Sequence, residues 1–551
     1  MATLRATAEV GTLVKTIPAL LLLAAVSFLA TLLVPYEYPS GDATEYVEIL
    51  QGWEPVRINP NRLLLETTVF GAYDAFQRVT GVASTDPLIA LLWMSRIVFL
   101  ASVLAVFAIA RQLDFGGVGA FAAAVGYASS HTILYFATDG EPILLAHLPL
   151  WIGGALHLRA ARRSSSPLHF AAGFAYGLSV LTYVSNVLPV AVIGIVSVIA
   201  ARRSWRFWIA PVSAVAVVVA GVAFAHSMSA SELAIHRWVA SYGGGSAVMS
   251  FGGNVALSAF RVIYGLGASL IASQGAARWV RHWTEGAESI EPRPSDALDL
   301  VAWGAALIFA GLATVLVLRR WSSLRGIQRA ALGVCAGSVL AFLAFNYLWI
   351  GSDPQFWVPV VPFLWIAWGF GFAPSAQWRA GVIVVAVAVM IPYNVLCDLR
   401  PARGDATPKL HRIELQGRVE RGSLVITPGL DWLATMCRYL PMEGRPVLVL
   451  WSVSTDPRYA GDLPQYLDDL DARIEATFAA GHPVYVRGVI EEPFPDGIPW
   501  REMEPRGFPL AAIQDRFARY EVGQAFTIGG DVFWKLSPPE PEPPPAFPLP
   551  K

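Results

Sequence analysis

The chain has 551 residues, of which 55% are hydrophobic and only 15% charged, with a mean hydropathy of +0.50. Soluble domains carry about 25% charged residues. The composition therefore excludes an ordinary soluble enzyme, a disordered chain and a basic nucleic-acid binder. The apolar residues come in long blocks, the signature of a polytopic membrane protein. A net charge of −1 offers no pull on a polyanion. Residues 1–396 hold 23 Lys+Arg and 19 Asp+Glu, whereas residues 397–551 hold 17 and 22. A weakly basic membrane part thus precedes a mildly acidic tail with the charge density of a soluble domain.

The first apolar run, at 17–34, follows Arg5 and Lys15. It is long enough to span, and no small-residue cleavage pattern follows it, so it reads as a true first helix and not a signal peptide. Further spans are expected near 87–110, 117–138, 142–158, 167–183, 187–201, 207–226, 297–318, 330–350, 357–374 and 380–396, about eleven in all. Arginine clusters follow alternate spans: Arg159, Arg162 and Arg163; Arg202, Arg203 and Arg206; Arg319, Arg320 and Arg325. The intervening short loops at 139–141, 184–186 and 351–356 have no Lys or Arg. By the positive-inside rule the N-terminus is cytoplasmic and the odd-numbered loops lie outside. This is the layout of a multi-pass protein of the cell (inner) membrane. The fairly apolar stretch 253–273 would invert every later cluster if it spanned, so it is placed as a helix at the outer surface.

Two long outer loops result, 36–86 and 227–296, the first with an amphipathic stretch at 63–76. Long loops in a membrane domain are uncommon unless functional. Gly243–Gly245 and Gly252–Gly253 suit either a segment that closes over substrate or loop filler. The tail reads as an extracytoplasmic α/β domain over 397–536. Strands are expected at 423–427, 447–451 and 484–487, and amphipathic helices at 467–480 and 510–520. The last fifteen residues, 537–551, hold eight prolines and read as a polyproline-type extension. Cys335 sits in an apolar stretch and packs there. Cys397 and Cys437 could pair in an oxidising compartment, but nothing in their spacing demands it, and no zinc pattern exists.

A charge beside lipid is expensive, about 2.5–3.5 kcal/mol at a helix centre on insertion scales. Acids near the outer face therefore mark candidate chemistry. One cluster is Gly41-Asp42-Ala43-Thr44-Glu45, shortly after the first span. The other is Asp139-Gly140-Glu141, in a minimal turn between spans three and four. The latter two are the only acids between Asp114 and Glu232. Either cluster alone reads equally well as helix caps in polar loops. Both fall at the same membrane surface and abut spans, which favours one shared site. Carboxylates spaced Asp-x-Glu suit a hard divalent cation or a proton acceptor.

Four stretches carry a family likeness. They are Pro39-Ser40-Gly41-Asp42-Ala43-Thr44-Glu45-Tyr46, Tyr135-Phe136-Ala137-Thr138-Asp139-Gly140-Glu141, the run from Gly177 to Pro189, and the run from Asp353 to Phe363. In order and topology the chain resembles the GT-C superfamily of membrane glycosyltransferases over about residues 1–396. It looks especially like bacterial relatives of the dolichyl-phosphate-mannose protein mannosyltransferase (family 39-like) group. The resemblance implies a polyprenyl-phosphate-linked sugar donor and an acceptor hydroxyl on a glycan, lipid or protein. It implies Asp42 as catalytic acid with Glu45 as neighbour or substitute. It implies Asp139 and Glu141 as positioning residues that hold a divalent metal (Mg or Mn) in some branches. The sequence departs from that pattern: no acid immediately follows Asp42, and Arg57-Ile58-Asn59-Pro60-Asn61-Arg62 stands where relatives often have a His-Pro-type turn.

The chemistry suits these residues. An acceptor hydroxyl needs a base, a role open to Asp42 or Glu45. A nearby carboxylate stabilises the oxocarbenium-like transition state. The phosphate leaving group needs Arg, Lys or metal. Candidates are Arg57, Arg62, Arg278 and Arg281, each equally at home as an interfacial anchor, and Arg96, buried well inside span two. His131 and His147 read as hydrogen-bonded core residues, and Asn186 as a turn residue. No nucleotide fingerprint, Walker motif or Ser-His-Asp arrangement occurs. A transporter or flippase of a lipid-linked glycan is the main alternative, and a non-catalytic envelope-glycan-binding scaffold the other. A transporter should place polar groups at mid-membrane in two related halves. Here the acids gather at one face and no paired halves are evident.

Overall fold

The computed structural model describes residues 18, 21–37, 41–50, 62–80, 87–201, 204–229, 234–237, 255–276, 278–279, 296–324, 326–348, 353–429, 432–440, 442–454, 459, 462–490, 503–504 and 507–538. The chain divides into two compact units. One comprises Met1–Tyr36 and Ile49–Gly404, the other Glu37–Glu48 and Asp405–Lys551. The first is a helical membrane unit and the second carries a small α/β domain.

In the membrane unit, α1 runs over Leu21–Leu32, and α2, Gly41–Leu50, belongs to the other unit. Then follow α3 (Leu65–Thr80), α4 (Pro87–Gln112), α5 (Gly116–Ser129), α6 (His131–Asp139), α7 (Ile143–Arg163), α8 (Ser166–Thr182), α9 (Val187–Ala201) and α10 (Ile209–Met228). The later helices are α11 (Val255–Leu270), α12 (Asp296–Arg320), α13 (Ile327–Leu348), α14 (Val361–Phe372), α15 (Ala376–Val385) and α16 (Arg400–Gly404). Among the described residues, six helices are long and apolar enough to cross a membrane, and three shorter apolar helices accompany them. Among the described residues, the expected spans fall largely on helix. The apolar stretch at 253–273 is helical as well.

Apolar composition alone does not choose a packing partner in lipid, where small residues let helices approach. Gly173 and Gly177, four apart on α8, face α10. A Cβ at Gly173 would overlap Ser213 Oγ and the Ala210 carbonyl oxygen, and one at Gly177 would overlap Val217. Gly126 on α5 sits under the Trp365 ring in the same way. A Gly173→Val variant is therefore expected to lower the melting temperature of the detergent-solubilised protein, whereas Gly311→Val, at an open position, should not.

Two helices depart from regularity, and both departures position polar groups. The span expected at 117–138 is broken at Ser130, whose backbone is extended (φ −65°, ψ 135°). Ser130 Oγ accepts a 2.9 Å bond from Trp365 Nε1. The break strands the Ser129 carbonyl, which accepts from Asn394 Nδ2 at 2.8 Å. Asn394 lies in a wide-turned π segment, Tyr393–Leu399, that continues α15 past Pro392. π turns inside α-helices concentrate at functional sites. The other Asn394 bonds reach the end of α11: Nδ2 donates to Leu270 O at 3.2 Å and Oδ1 accepts from Ala272 N at 2.7 Å. A buried amide thus satisfies backbone groups that lipid could not.

The second unit begins its main segment with α17 (Thr407–Arg418) and β1 (Leu424–Thr427). There follow α18 (Trp432–Tyr439), β2 (Val447–Val449), α19 (Leu450–Ser454), α20 (Leu463–Ala479), β3 (Val484–Arg487), α21 (Leu510–Phe517), β4 (Glu521–Ile528) and β5 (Asp531–Ser537). The sheet order is β2-β1-β3-β5-β4. The first three strands are parallel, and β5 and β4 add antiparallel. The three expected strands are present, but Leu450 and Trp451 open a helix and do not extend β2. The β4–β5 hairpin around Gly529-Gly530 was not foreseen. Both glycines have positive φ (59° and 89°), which only glycine adopts cheaply. Alternate residues of β1 and β3 face opposite cores. Leu424, Ile426, Val484 and Val486 pack on α20 and α21, while Val425 and Tyr485 pack with residues of α17 and α18. The polyproline extension lies outside the described residues beyond 538. The three cysteines are free thiols.

Candidate active site

The two ends of the membrane unit differ chemically. At one end, where α4, α7 and α12 finish, arginines cluster. Arg162 Nη2 donates to Asp114 at 2.7 Å, and Arg206 binds the Ser164 carbonyl. At the other end, where α6, α8 and α16 finish, acids are buried. Gly140, in the left-handed conformation (φ 88°), stops α6 and leaves three residues to reach α7. That tight turn sinks both Asp139 (1% exposed) and Glu141 (3%).

A buried carboxylate needs a countercharge. For Asp139 it is Arg403 on α16, itself buried, in a direct ion pair. The Arg403 guanidinium also lies 4.6 Å from the Tyr135 ring centroid, one turn before Asp139 on α6. At the head of α6, His131 Nε2 meets Asp398 Oδ2 at 2.6 Å and its Nδ1 meets the Ala268 carbonyl at 3.1 Å. A carbonyl only accepts, so Nδ1 carries a proton. Asp398 and Arg403 lie on one stretch, His131 and Asp139 on another, and a hydrogen bond and an ion pair clamp the two together.

A second cluster surrounds Tyr183, the residue that ends α8 in extended conformation. The Arg62 guanidinium sits 5.6 Å from the Tyr183 ring centroid. The Tyr183 hydroxyl donates to Gln355 Oε1 at 3.1 Å. The charges of Arg62, Asp353 and Glu141 all act on that hydroxyl. Asp353 caps the 3₁₀ turn Pro354–Trp357, accepting from Gln355 N at 3.0 Å and from Gln355 Nε2 at 2.8 Å. The Leu64 amide, bonded to Leu181 O at 3.0 Å, pins the Arg62 segment to the end of α8. Behind Tyr183, His147 stacks edge-on at 5.3 Å, and its Nδ1 pairs with Asn186 Oδ1 at 2.7 Å.

Arg62 thus lies over the Tyr183 ring, while Asp139 is joined to Arg403. Arg278 is committed elsewhere: its Nε donates to Asp296 Oδ2 at 2.8 Å in a two-pronged ion pair. That hydrogen bond raises the guanidinium pKa above its already high ordinary value. Arg96 is buried in α4, with Nη2 3.3 Å from the Thr31 carbonyl and its guanidinium 5.5 Å from the Trp93 ring centroid. An Arg96→Leu variant is expected to bind a polyprenyl-phosphate donor as the parent does, measured by titration in detergent. Asp42 occupies the first turn of α2 with its side chain outside the described part, and Glu45 is half-buried on the same helix. Arg57 and Arg281 lie outside the described residues, as do Gly243–Gly245 and Gly252–Gly253.

Sequence reasoning missed Arg403, Asp398 and Tyr183 as site residues. Tyr183 stands in one of the family-like stretches, and Asp398 and Arg403 follow the last span. Each carried a signal that only pairing in space makes legible. No group of three or more His, Cys, Asp and Glu side chains that could hold a metal occurs among the described residues. Asp139 is paired with the Arg403 guanidinium.

No family model matches the chain, and no curated protein matches it by sequence. Solved structures do match. ArnT from Cupriavidus metallidurans bound to undecaprenyl phosphate superposes with a TM-score of 0.55 at 13% identity, over 95% of this chain and 98% of that one. The Archaeoglobus fulgidus oligosaccharyltransferase in complex with Zn and sulfate gives 0.50 at 12% identity, over 94% and 72%. The chain has the GT-C fold. At these identities the likeness shows architecture.

Proposed function

We propose that this GT-C protein is an integral-membrane glycosyltransferase that moves a sugar from a polyprenyl-phosphate donor to an acceptor hydroxyl on the extracytoplasmic face. The observation that carries the reading is a GT-C fold spanning nearly the whole chain, shared with a protein bound to undecaprenyl phosphate. The buried acid end supports it: Asp139 and Glu141 are buried and Arg62 lies over Tyr183 where the arginine-poor short loops lie. The positive-inside pattern puts that end outside.

In this reading the acceptor hydroxyl loses its proton to Asp42, with Glu45 as neighbour or substitute. A carboxylate beside the anomeric carbon stabilises the oxocarbenium-like transition state. The phosphate leaves as an anion and needs fixed positive charge. Arg62, held over Tyr183, supplies it in a form suited to bidentate phosphate contact. Asp139 acts through Arg403, fixing the end of α6 and so the Glu141 turn. The Archaeoglobus structure contains Zn, but no step here runs through a metal, because Asp139 is already neutralised by Arg403. Transfer is expected to be unchanged by EDTA, measured with and without added Mg or Mn.

The test is purified protein in proteoliposomes, supplied with hexosyl and pentosyl polyprenyl phosphates and hydroxyl acceptors. Sugar release from the donor with appearance on an acceptor supports the proposal. Donor movement across the bilayer without any transfer overturns it in favour of a flippase. Arg62→Leu is expected to raise the donor KM by about tenfold, the loss of one charge-assisted contact of about 1.5 kcal/mol. An unchanged KM removes Arg62 from the donor site.

A further inference from the structure

In the second unit, β1 connects through α18 to β2, and β2 connects through α20 to β3 on the far side of β1. Leu433 of α18 packs on one face of the sheet, and Tyr466, Leu470 and Ile474 of α20 on the other. The winding therefore reverses between β1 and β3. In open α/β sheets such a reversal leaves a crevice beyond the carboxyl ends of the two strands, and ligands bind there.

The last residues of those two strands are Thr427 and Arg487, and they meet: Arg487 Nη1 donates to Thr427 Oγ1 at 3.2 Å. Arg487 is 2% exposed. Its Nη2 donates to Asp531 Oδ2 at 2.7 Å, and Trp432 Nε1 donates to the same oxygen at 2.6 Å. The guanidinium lies 5.5 Å from the Trp432 ring centroid and 6.0 Å from that of Phe533. His411 stands edge-on to Trp432 at 5.4 Å. Burying a guanidinium is costly against a well-packed apolar alternative. A polar assembly of this kind at the strand ends is what a binding site requires and what a sheet core does not.

The geometry points to a saccharide-binding site at this crevice, built on Arg487, Asp531 and Trp432 and taking a neutral hydroxyl-rich ring. Asp531 cancels the Arg487 charge, so an anionic group entering here would meet a carboxylate. Both bonds to Asp531 fall on Oδ2, which leaves Oδ1 of a partly exposed carboxylate to accept a sugar hydroxyl. An indole such as that of Trp432, which is only half-buried, packs against the C–H face of a sugar as it does against other apolar surfaces. The inference rests on the glycosyltransferase reading only in supposing that the sugar belongs to the acceptor.

The experiment is saturation-transfer NMR on the full chain in nanodiscs, with neutral mono- and oligosaccharides of mannose, glucose, galactose and arabinose, and with glucuronate and inorganic phosphate as anionic probes. Neutral sugars are expected to bind, and Asp531→Asn to weaken them by about tenfold, the loss of one charge-assisted hydrogen bond. Trp432→Phe, which keeps a ring and the Arg487–Asp531 pair but removes the Nε1 donor, carries the test if Asp531→Asn fails to fold. Binding by the anions alone, no binding by any probe, or neutral binding untouched in the folded variants overturns the site. Asp42→Asn separates the two proposals: it should abolish transfer and leave saccharide binding as it is.

Discussion

Replacing Arg403 by Gln is expected to destabilise the membrane unit by about 3–5 kcal/mol, among the largest effects of any single substitution in this protein. The reason is asymmetry. The Asp139–Arg403 pair contributes little net stability, because desolvating both charges offsets most of their attraction. Removing the guanidinium takes from a buried carboxylate the ion pair that offsets its desolvation, which costs several kcal/mol. Tyr135 adds to the loss, since its ring gives up a cation stacked at 4.6 Å. The double variant Asp139→Asn/Arg403→Gln removes both charges and should recover a large part of the lost stability. Melting temperatures of the four proteins in one detergent form the double-mutant cycle. A parental melting temperature for Arg403→Gln alone contradicts the assignment.

Substituting Asp42 by Asn is expected to lower sugar transfer by about 10²–10⁴-fold, the usual contribution of a positioned general base. Donor affinity should stay near the parental value, because the lost interaction belongs to the transition state. Glu45→Gln, three residues on along α2, is expected to have the smaller effect. The measurement is the initial rate in proteoliposomes at saturating donor, paired with a donor titration. A parental rate in Asp42→Asn and in Asp139→Asn together removes the proposed site.

Architecture was legible in the sequence because lipid is a demanding solvent. Every apolar block had to be a helix, so the spans could be read from composition, and the parallel strands from short β-branched runs. The irregular points were not legible. The break at Ser130 depends on Trp365 and Asn394, residues far off in sequence whose hydrogen bonds make it tolerable. Leu450-Trp451 looks like the end of a buried strand until packing turns it into α19. The β4–β5 hairpin was hidden by the half-polar run from Glu521 to Thr527. At the site, buried acids could be singled out because charge near lipid demands a reason. Which cation answered each one could not. Arg278 looked available for phosphate and is held by Asp296, while Arg403, which the sequence did not single out, answers Asp139.

The clamp between α6 and the end of the last membrane helix also bears on how the chain is made. His131 and Asp398 are 267 residues apart, and at about 5–20 residues per second the ribosome needs roughly 15–50 s to bridge them. For that interval Asp139 and His131 have left the ribosome without their final partners. The last helix then behaves as a keystone: its arrival supplies Asp398 and Arg403 to groups that were placed long before. A chain stopped short of residue 398 would lack both of these contacts, so both stretches must be made before this clamp can close.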